Sequence, residues 1–368
     1  MKILYDHQIF TEQRYGGISR YFYELIREFH QQKNIDFDVS LFLSNNYYIS
    51  DKEYVDYINF LPNTKFKGKW RIYNTFNKIK TINLLKKNEF DVFHPTYYDP
   101  YFLKYIGNKP YVLTIHDMIH EKFSDMFSLN DTVRQNKKLL VEKATKIIAI
   151  SESTKKDLID LLKVDENKIE VIYHGNSLAF NKDIFESSNM YIPEKYILFV
   201  GERRIYKNFD FFIESVTPIL TKNKDLFIVC AGGLKFNKKD LEKFSQAGIL
   251  NQIIQYNIDD NSLAYLYNNA LMFVFPSLYE GFGIPILEAF ACKCPVLCSN
   301  TSSLPEVAGE AALYFDPYSM ESIKNTVEYA LSNKKVREDL IVKGQNRLKK
   351  FNWNKTAYLT KKLYESIL

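Results

Sequence analysis

A chain of 368 residues exceeds the roughly 250 to 300 at which a single hydrophobic core stops growing, so two domains are expected. With 46% hydrophobic residues and modest Gly and Pro it is a folded globular protein rather than a linker or a disordered tail, and its 15% aromatic content supplies flat faces for stacking. The formal net charge of +5 comes without a recognisable nucleic-acid-binding module, which excludes nucleic acid as the expected partner.

From the first residue, short apolar strands alternate with amphipathic helices, the pattern of parallel α/β units. "KILYD" (2–6) reads as a strand too short for a secretory signal, and no window approaches the 18 or so apolar residues of a spanning helix, so a cytosolic protein is expected. The next loop, "QRYGGISRY", puts Gly16 and Gly17 ahead of a helix, a potential approach for a phosphate or a sugar. "FDVSLFLS" (37–44) reads as a second strand. The D-x-D spacing of Asp36 and Asp38 beside it is that of a metal-dependent transferase, but strand alternation alone explains the pair.

Residues 65–87, "KFKGKWRIYNTFNKIKTINLLKK", hold eight Lys or Arg and no Asp or Glu. Phe66, Trp70, Tyr73 and Phe76 or Asn77 fall at helical spacing, so the segment either rests on an anionic membrane surface or packs an aromatic stripe on its own domain. "FDVFHPT" (90–96) and "YVLTIHD" (111–117) are strands that stop at His94 and at His116–Asp117; "KIIAIS" (146–151) and "KIEVIYHG" (168–175) complete a first doubly wound sheet. The aperiodic stretch 176–195, containing Pro193, reads as the interdomain linker.

A second series of strands follows at 196–202, 226–233, 253–257, 271–277, 294–299 and 312–316. Its first strand runs into "VGERRIYKNF", where Arg203, Arg204 and Lys207 precede a helix and could neutralise a diphosphate without a metal. Its fourth strand runs into "FPSLYEGFGIPILEA". Glu280 precedes Gly281 and Gly283, Pro285 suits a first helical turn, and Glu288 lies one turn further in. A carboxylate at the place of Glu288 can accept both hydroxyls of a ribose. The two glutamates also fit paired acid/base chemistry or a plain strand-to-helix corner. "GFGIPI" ends at Ile286 and so lacks the third glycine of a nicotinamide fingerprint. Cys230, Cys292, Cys294 and Cys298 lack zinc-site spacing and read as buried thiols. "NWNKTAYLTKKLYESIL" is a final helix after Asn352 or Asn354.

Taken in order, "GGISRY", "TIHDM", "AISESTKKDL", "VIYHG", "VGERRIYKNF", "FPSLYEGFGIPILEA" and "LPEVAGEAALYFDP" resemble the retaining glycosyltransferases of family four, over nearly the whole chain. The similarity extends to the bacterial branch with O-antigen mannosyltransferases. It implies the α/β GT-B fold: two doubly wound Rossmann-like domains facing a central cleft. The first, acceptor-side domain spans 1–185 and is completed by the terminal helix 352–368; the second, nucleotide-sugar-binding domain spans 190–351.

The resemblance further implies that Glu288 binds the donor ribose. Glu280 and the N–H groups of Gly281, Phe282, Gly283 and Ile284 would hold the donor sugar, and Lys207 with Arg203 or Arg204 the diphosphate. His116 would lie beside the transferred sugar, and Gly16 and Gly17 would border the diphosphate. Many members have Arg where this chain has Glu202, so the arginine role falls to Arg203 with Arg204 as substitute. The expected reaction moves a hexose, from a GDP-mannose-like donor or next a UDP-sugar, to a saccharide or lipid-linked acceptor, with retention and with neither metal nor cofactor. A glycoside hydrolase using Glu280 and Glu288 and a non-catalytic binding module on the same fold are the alternatives.

Overall fold

The computed structural model describes residues 1–33, 35–50, 53–61, 64, 66–128, 130–178, 191–257 and 259–368. Residues 179–190 of the expected linker, and Lys65 at the start of the basic segment, lie outside the described residues. The chain divides into two compact units, one of Met1–Gly175 with Trp353–Leu368 and one of Asn176–Asn352.

The first unit contains β1 (Lys2–Tyr5), β2 (Asp36–Val39), β3 (Val92–His94), β4 (Val112–Ile115), β5 (Lys146–Ala149) and β6 (Ile169–Val171). All pair in parallel, as β2-β1-β3 and β4-β5-β6, and one parallel bridge between Phe93 and Tyr111 joins the two sets. The single expected sheet is thus nearly interrupted. Pro95 and Pro110 flank the join and bring no N–H to it, and the Phe93 N–H donates to the Pro110 carbonyl (3.1 Å) there.

The expected strand 37–44 ends at Val39 for a similar local reason. The N–H groups of Phe42 and Leu43 donate to the Asn77 carboxamide oxygen (2.8 and 2.7 Å), and the Asn77 amide donates to the Leu43 carbonyl and the Thr11 hydroxyl (2.8 Å each). Buried Asn77 thereby takes the backbone groups a longer strand would have used.

Asn77 belongs to the helix Lys69–Lys87, which corrects the reading of the basic segment. At four-residue intervals the helix buries Tyr73, Asn77, Thr81 and Leu85. Trp70 and Phe76 instead stand half exposed, as do Phe66 and Ile79. Of the expected stripe, Tyr73 and Asn77 therefore pack on the first unit, while Trp70 and Phe76 stay half exposed because Thr81 and Leu85 complete the inner face.

The terminal helix Trp353–Glu365 completes the first core rather than the second. The buried Tyr364 hydroxyl meets the Tyr5 hydroxyl (2.9 Å) and His94 Nδ1 (2.6 Å), and the Thr356 hydroxyl donates to the Tyr173 carbonyl (2.7 Å). Gly175 is required there, since a Cβ would lie 2.4 Å from the Trp353 backbone nitrogen.

The second unit contains β7 (Tyr196–Val200), β8 (Phe227–Ala231), β9 (Ile253–Tyr256), β10 (Met272–Phe275), β11 (Val296–Ser299) and β12 (Ala312–Phe315). Its sheet is wholly parallel in the order β9-β8-β7-β10-β11-β12. This is the dinucleotide-domain order, and the strand order reverses between β7 and β10. β10 and β11 are buried throughout, as continuous apolar runs covered on both faces require.

Candidate functional site

In the second unit the loops after β7 and β10 meet at the point where the strand order reverses. β7 leads into Gly201, whose φ of 115° is a glycine conformation, and then a short turn Ile205–Lys207 before the helix Phe209–Lys222. Lys207 Nζ lies 2.7 Å from Glu280 Oε1, with the two side chains only 16% and 12% exposed. The Leu278 N–H donates to the Tyr206 carbonyl (2.7 Å) and ties the two loops together. The ammonium also lies over the Phe275 and Tyr206 rings at 5.2 and 5.4 Å. Burial by itself lowers the Lys207 pKa, but the charge of Glu280 and the hydrogen bond to it outweigh burial and leave the pKa raised. Lys207 is therefore a fixed cation.

The Glu280 loop is held by the residues after β11. The Glu280 N–H donates to the Ser302 hydroxyl (3.0 Å), and the Ser303 hydroxyl reaches the carbonyls of Glu280 (2.9 Å) and Phe282 (2.8 Å). Gly283 precedes the helix Ile284–Ala291 at φ 108°, and a Cβ there would come 2.9 Å from the Leu304 side chain, so both conformation and packing demand glycine. Gly281–Ile284 thus form the N-terminal end of a helix, where backbone N–H groups and the dipole favour electronegative ligand atoms. The Phe282 side chain is buried against Phe351 (5.8 Å), leaving only its backbone for a ligand. Glu288, one turn in, is 7% exposed, and the buried Tyr267 hydroxyl donates to its Oε2 (3.3 Å).

The arginines are placed elsewhere. The Arg203 guanidinium stacks over Phe236 (4.3 Å) and Phe209 (5.7 Å) and donates to the Leu234 carbonyl. It braces the loop after β8, in which Gly232 and Gly233 both have positive φ and Gln255 spans the carbonyls of Gly232, Gly233 and Leu234. Arg204 is more than half exposed and paired with Glu202. Neither guanidinium joins the Lys207–Glu280 pair.

In the first unit, Gly16 and Gly17 open the helix Gly17–Gln32, but the start of that helix is already occupied. The Gln13 carboxamide oxygen accepts the Ser19 N–H (3.1 Å), and a Cβ on Gly16 would strike that carboxamide at 2.4 Å. His116 follows β4 and packs edgewise on Tyr21 and Phe22 of the same helix (5.1 and 5.9 Å). Its Nε2 is buried without a hydrogen-bond partner, and burial, with smaller effects from His174, His94 and Lys137, lowers its pKa well below the usual histidine value. It is a neutral imidazole.

Sequence reasoning missed the groups that hold these residues. Tyr98 accepts the His116 N–H (3.2 Å), and Lys137, wholly buried, pairs with Glu121 (2.8 Å) while donating to the Asp117 carbonyl (3.0 Å). Nothing in the pattern of "DTVRQNKKLL" marks Lys137 as buried. Tyr267 and Gln13 carry no signal either. Asp38 of the D-x-D pair is bound to Lys2 (2.8 Å) on the edge strand, and among the described residues no group of three or more His, Cys, Asp or Glu could hold a metal ion.

Residues 15–180 match the family model described as Glycosyltransferase Family 4, and residues 180–347 the model described as Glycosyl transferases group 1. The chain belongs to the family-four glycosyltransferases. This enzyme is 28% identical over 291 residues to O-antigen chain mannosyltransferase B of Escherichia coli, covering 74% of each chain. The glycosyltransferase is also 30% identical over 221 residues to O-antigen chain mannosyltransferase RfbU of Salmonella typhimurium, 59% of each chain. Its fold is GT-B: the structure of HepE from Anabaena in complex with UDP and glucose superposes with a TM-score of 0.75 at 14% identity, covering all of both chains.

Proposed function

We propose that this glycosyltransferase moves a hexose from a nucleotide-diphosphate sugar to a saccharide or lipid-linked saccharide in surface polysaccharide synthesis, with retention at the anomeric carbon and without metal or cofactor. The observation that carries the reading is the buried Lys207–Glu280 pair at the strand-order reversal of the second unit, beside a helix N-terminus and buried Glu288. A GDP-mannose-like donor is favoured by the mannosyltransferase relatives, and a UDP-sugar is next, as HepE was crystallised with UDP and glucose.

In the proposed step the bond from the anomeric carbon to the diphosphate oxygen breaks, and the acceptor oxygen bonds to that carbon from the same face. The acceptor proton passes to the departing diphosphate. Lys207 then stabilises the negative charge that develops, and Glu280, released from Lys207 as the cation turns to phosphate, accepts hydrogen bonds from sugar hydroxyls. Glu288, oriented by Tyr267, accepts the ribose hydroxyls. Gly281–Ile284 contribute backbone N–H groups, and the family resemblance assigns His116 to the transferred sugar and Gly16 and Gly17 to the diphosphate. Arg203 supports this chemistry through the loop it braces. Arg204, bound only to exposed Glu202, needs less rearrangement to reach a phosphate.

The test is nucleotide release from a panel of GDP- and UDP-sugars with EDTA present throughout, for the natural protein and Glu288→Ala. Release from one donor that survives EDTA and collapses in the variant is expected. Loss of release in EDTA alone overturns the metal-free reading.

For the acceptor side, we propose that the outer face of Lys69–Lys87 rests on an anionic membrane. Phe76 and Ile79 are exposed among Lys67, Arg71, Lys86 and Lys87, and among the described residues no helix is long and apolar enough to cross a membrane. Sedimentation with anionic vesicles at low salt is expected to carry the protein down; failure to sediment ends the membrane reading.

A further inference from the structure

Lysine is almost never fully buried unless paired, and Lys137 of the helix Val133–Lys143 is 0% exposed at a place where no step of the proposed transfer uses it. Its ammonium donates to Glu121 Oε2 (2.8 Å) and to the Asp117 carbonyl (3.0 Å), and it lies 5.3 Å from the centre of the Tyr98 ring.

The Lys137–Glu121 pair is a poor device for stability. Taking two charges out of water is offset only when their remaining polar atoms are hydrogen-bonded as well, and Glu121, its side chain 3% exposed, has Oε1 buried with no partner. Two apolar side chains of similar volume would fill the space without that desolvation.

What the charges accomplish is backbone placement. β4 pairs with β5 as far as Ile115 with Ala149, so the peptide groups that follow lie past the paired strand. The Tyr98 hydroxyl accepts the His116 N–H (3.2 Å) and donates to the Thr114 carbonyl (3.4 Å), and Lys137 holds the Asp117 carbonyl just beyond. The Asp117 carboxylate in turn accepts the N–H of Ile119 (3.0 Å), the first residue of the short helix Ile119–Lys122, which carries Glu121 back to Lys137. The chain after His116 is thereby closed into a circuit, with Tyr98 clamping the chain before it.

We infer that Lys137 is a positioning residue for glycosyl transfer: with Glu121 and Tyr98 it holds the backbone on both sides of His116 and so fixes the direction of the imidazole. The inference rests on the reading above that puts His116 beside the transferred sugar. A displacement of about 1 Å at a reacting centre costs on the order of a hundredfold in rate, and that is the loss expected when the circuit is opened. Nucleotide binding, assigned to Lys207 and Glu288 of the second unit, does not pass through it.

The test compares the natural full chain with the double variant Lys137→Met with Glu121→Leu, which removes both charges and keeps the volume. The melting temperature is expected to hold or rise, kcat to fall about a hundredfold, and the donor KM to change less than twofold. In histidine-labelled protein the His116 ring resonances are expected to move or broaden while those of buried His7 and exposed His30 stay in place, a pattern that a general loss of stability does not give. Tyr98→Phe, which opens the clamp from the other side, is expected to lower kcat in the same sense. Unchanged turnover in a folded double variant overturns the inference, as does a variant that fails to fold or one that loses turnover with the His116 resonances unmoved. His116→Ala separates this inference from the reading beneath it. Normal turnover there sinks the placement of His116 beside the sugar, whereas lost turnover there with an active, folded double variant sinks only the role of Lys137.

Discussion

All six histidines belong to the first unit, and this makes the two halves of the chain respond differently to acid. Burial holds His7, His94 and His174 at pKa values of about 3, against an ordinary 6.5. Between those values the unfolded chain binds protons that the folded unit refuses, so stability is full above pH 6.5 and falls as the pH drops toward 3. At pH 5 each such histidine costs about 2 kcal/mol, and the three together about 6 kcal/mol. His116, lowered in the same way, adds to this, while buried Asp6, whose pKa is raised by burial despite its hydrogen bonds, opposes it. A loss of that size is comparable to the whole stability of an ordinary domain.

The second unit has no histidine to lose stability by this route, and both tryptophans, Trp70 and Trp353, lie in the first. Tryptophan fluorescence therefore reports the first unit alone, and far-ultraviolet circular dichroism reports both. In urea at pH 7.5 and pH 5.0, the fluorescence midpoint is expected to fall sharply, with a later circular-dichroism transition left behind. A fluorescence midpoint that holds steady between the two pH values would refute the reasoning, as would the two signals moving together.

Lys207→Ala is expected to lower turnover by about 2.7 to 4 kcal/mol, the loss typical of one preorganised donor; near-normal turnover rejects its assignment. The same change leaves Glu280 buried without its cation and is expected to destabilise the second unit by about 3 to 5 kcal/mol in urea melts. The double variant Lys207→Met with Glu280→Gln should recover most of that stability and none of the turnover. Gln13→Ala removes the cap on Ser19, so the melting temperature of the first unit should fall, the cap being worth about 1 kcal/mol; an unchanged melting temperature would show that the Gln13–Ser19 bond adds no stability. Tyr267→Phe strips a donor from the Glu288 carboxylate and is expected to weaken nucleotide binding on the order of tenfold; unaltered binding would show that Tyr267 does not orient it.

Several parts of this architecture are legible in the sequence because their signals are local. A run such as "LMFVFPS" is apolar throughout because both faces of β10 are covered, and "GFGIP" fixes a turn and a helix start through backbone conformation alone. Those cues suffice for the α/β class, for the alternating order of elements, and for Glu280, Gly283 and Glu288 as one loop and helix. They do not reach side chains whose partners are far along the chain. Lys207 meets Glu280 across 73 residues, and His94 meets Tyr364 across 270. Periodicity put Phe66, Trp70, Tyr73 and Phe76 or Asn77 on one stripe of 65–87, and the buried face keeps Tyr73 and Asn77 of these and continues through Thr81 and Leu85, because distant backbone groups at Phe42 and Leu43 needed partners. The place of Arg203 in its loop gives no sign that its guanidinium stacks on Phe236 and donates to the Leu234 carbonyl. Sequence by itself determined which residues sit at strand ends, since the backbone's own hydrogen bonding and apolar burial decide that within a few residues. Tertiary structure decided which charges face which partners, since that depends on long-range packing and on the free energy of leaving a buried polar atom unpaired.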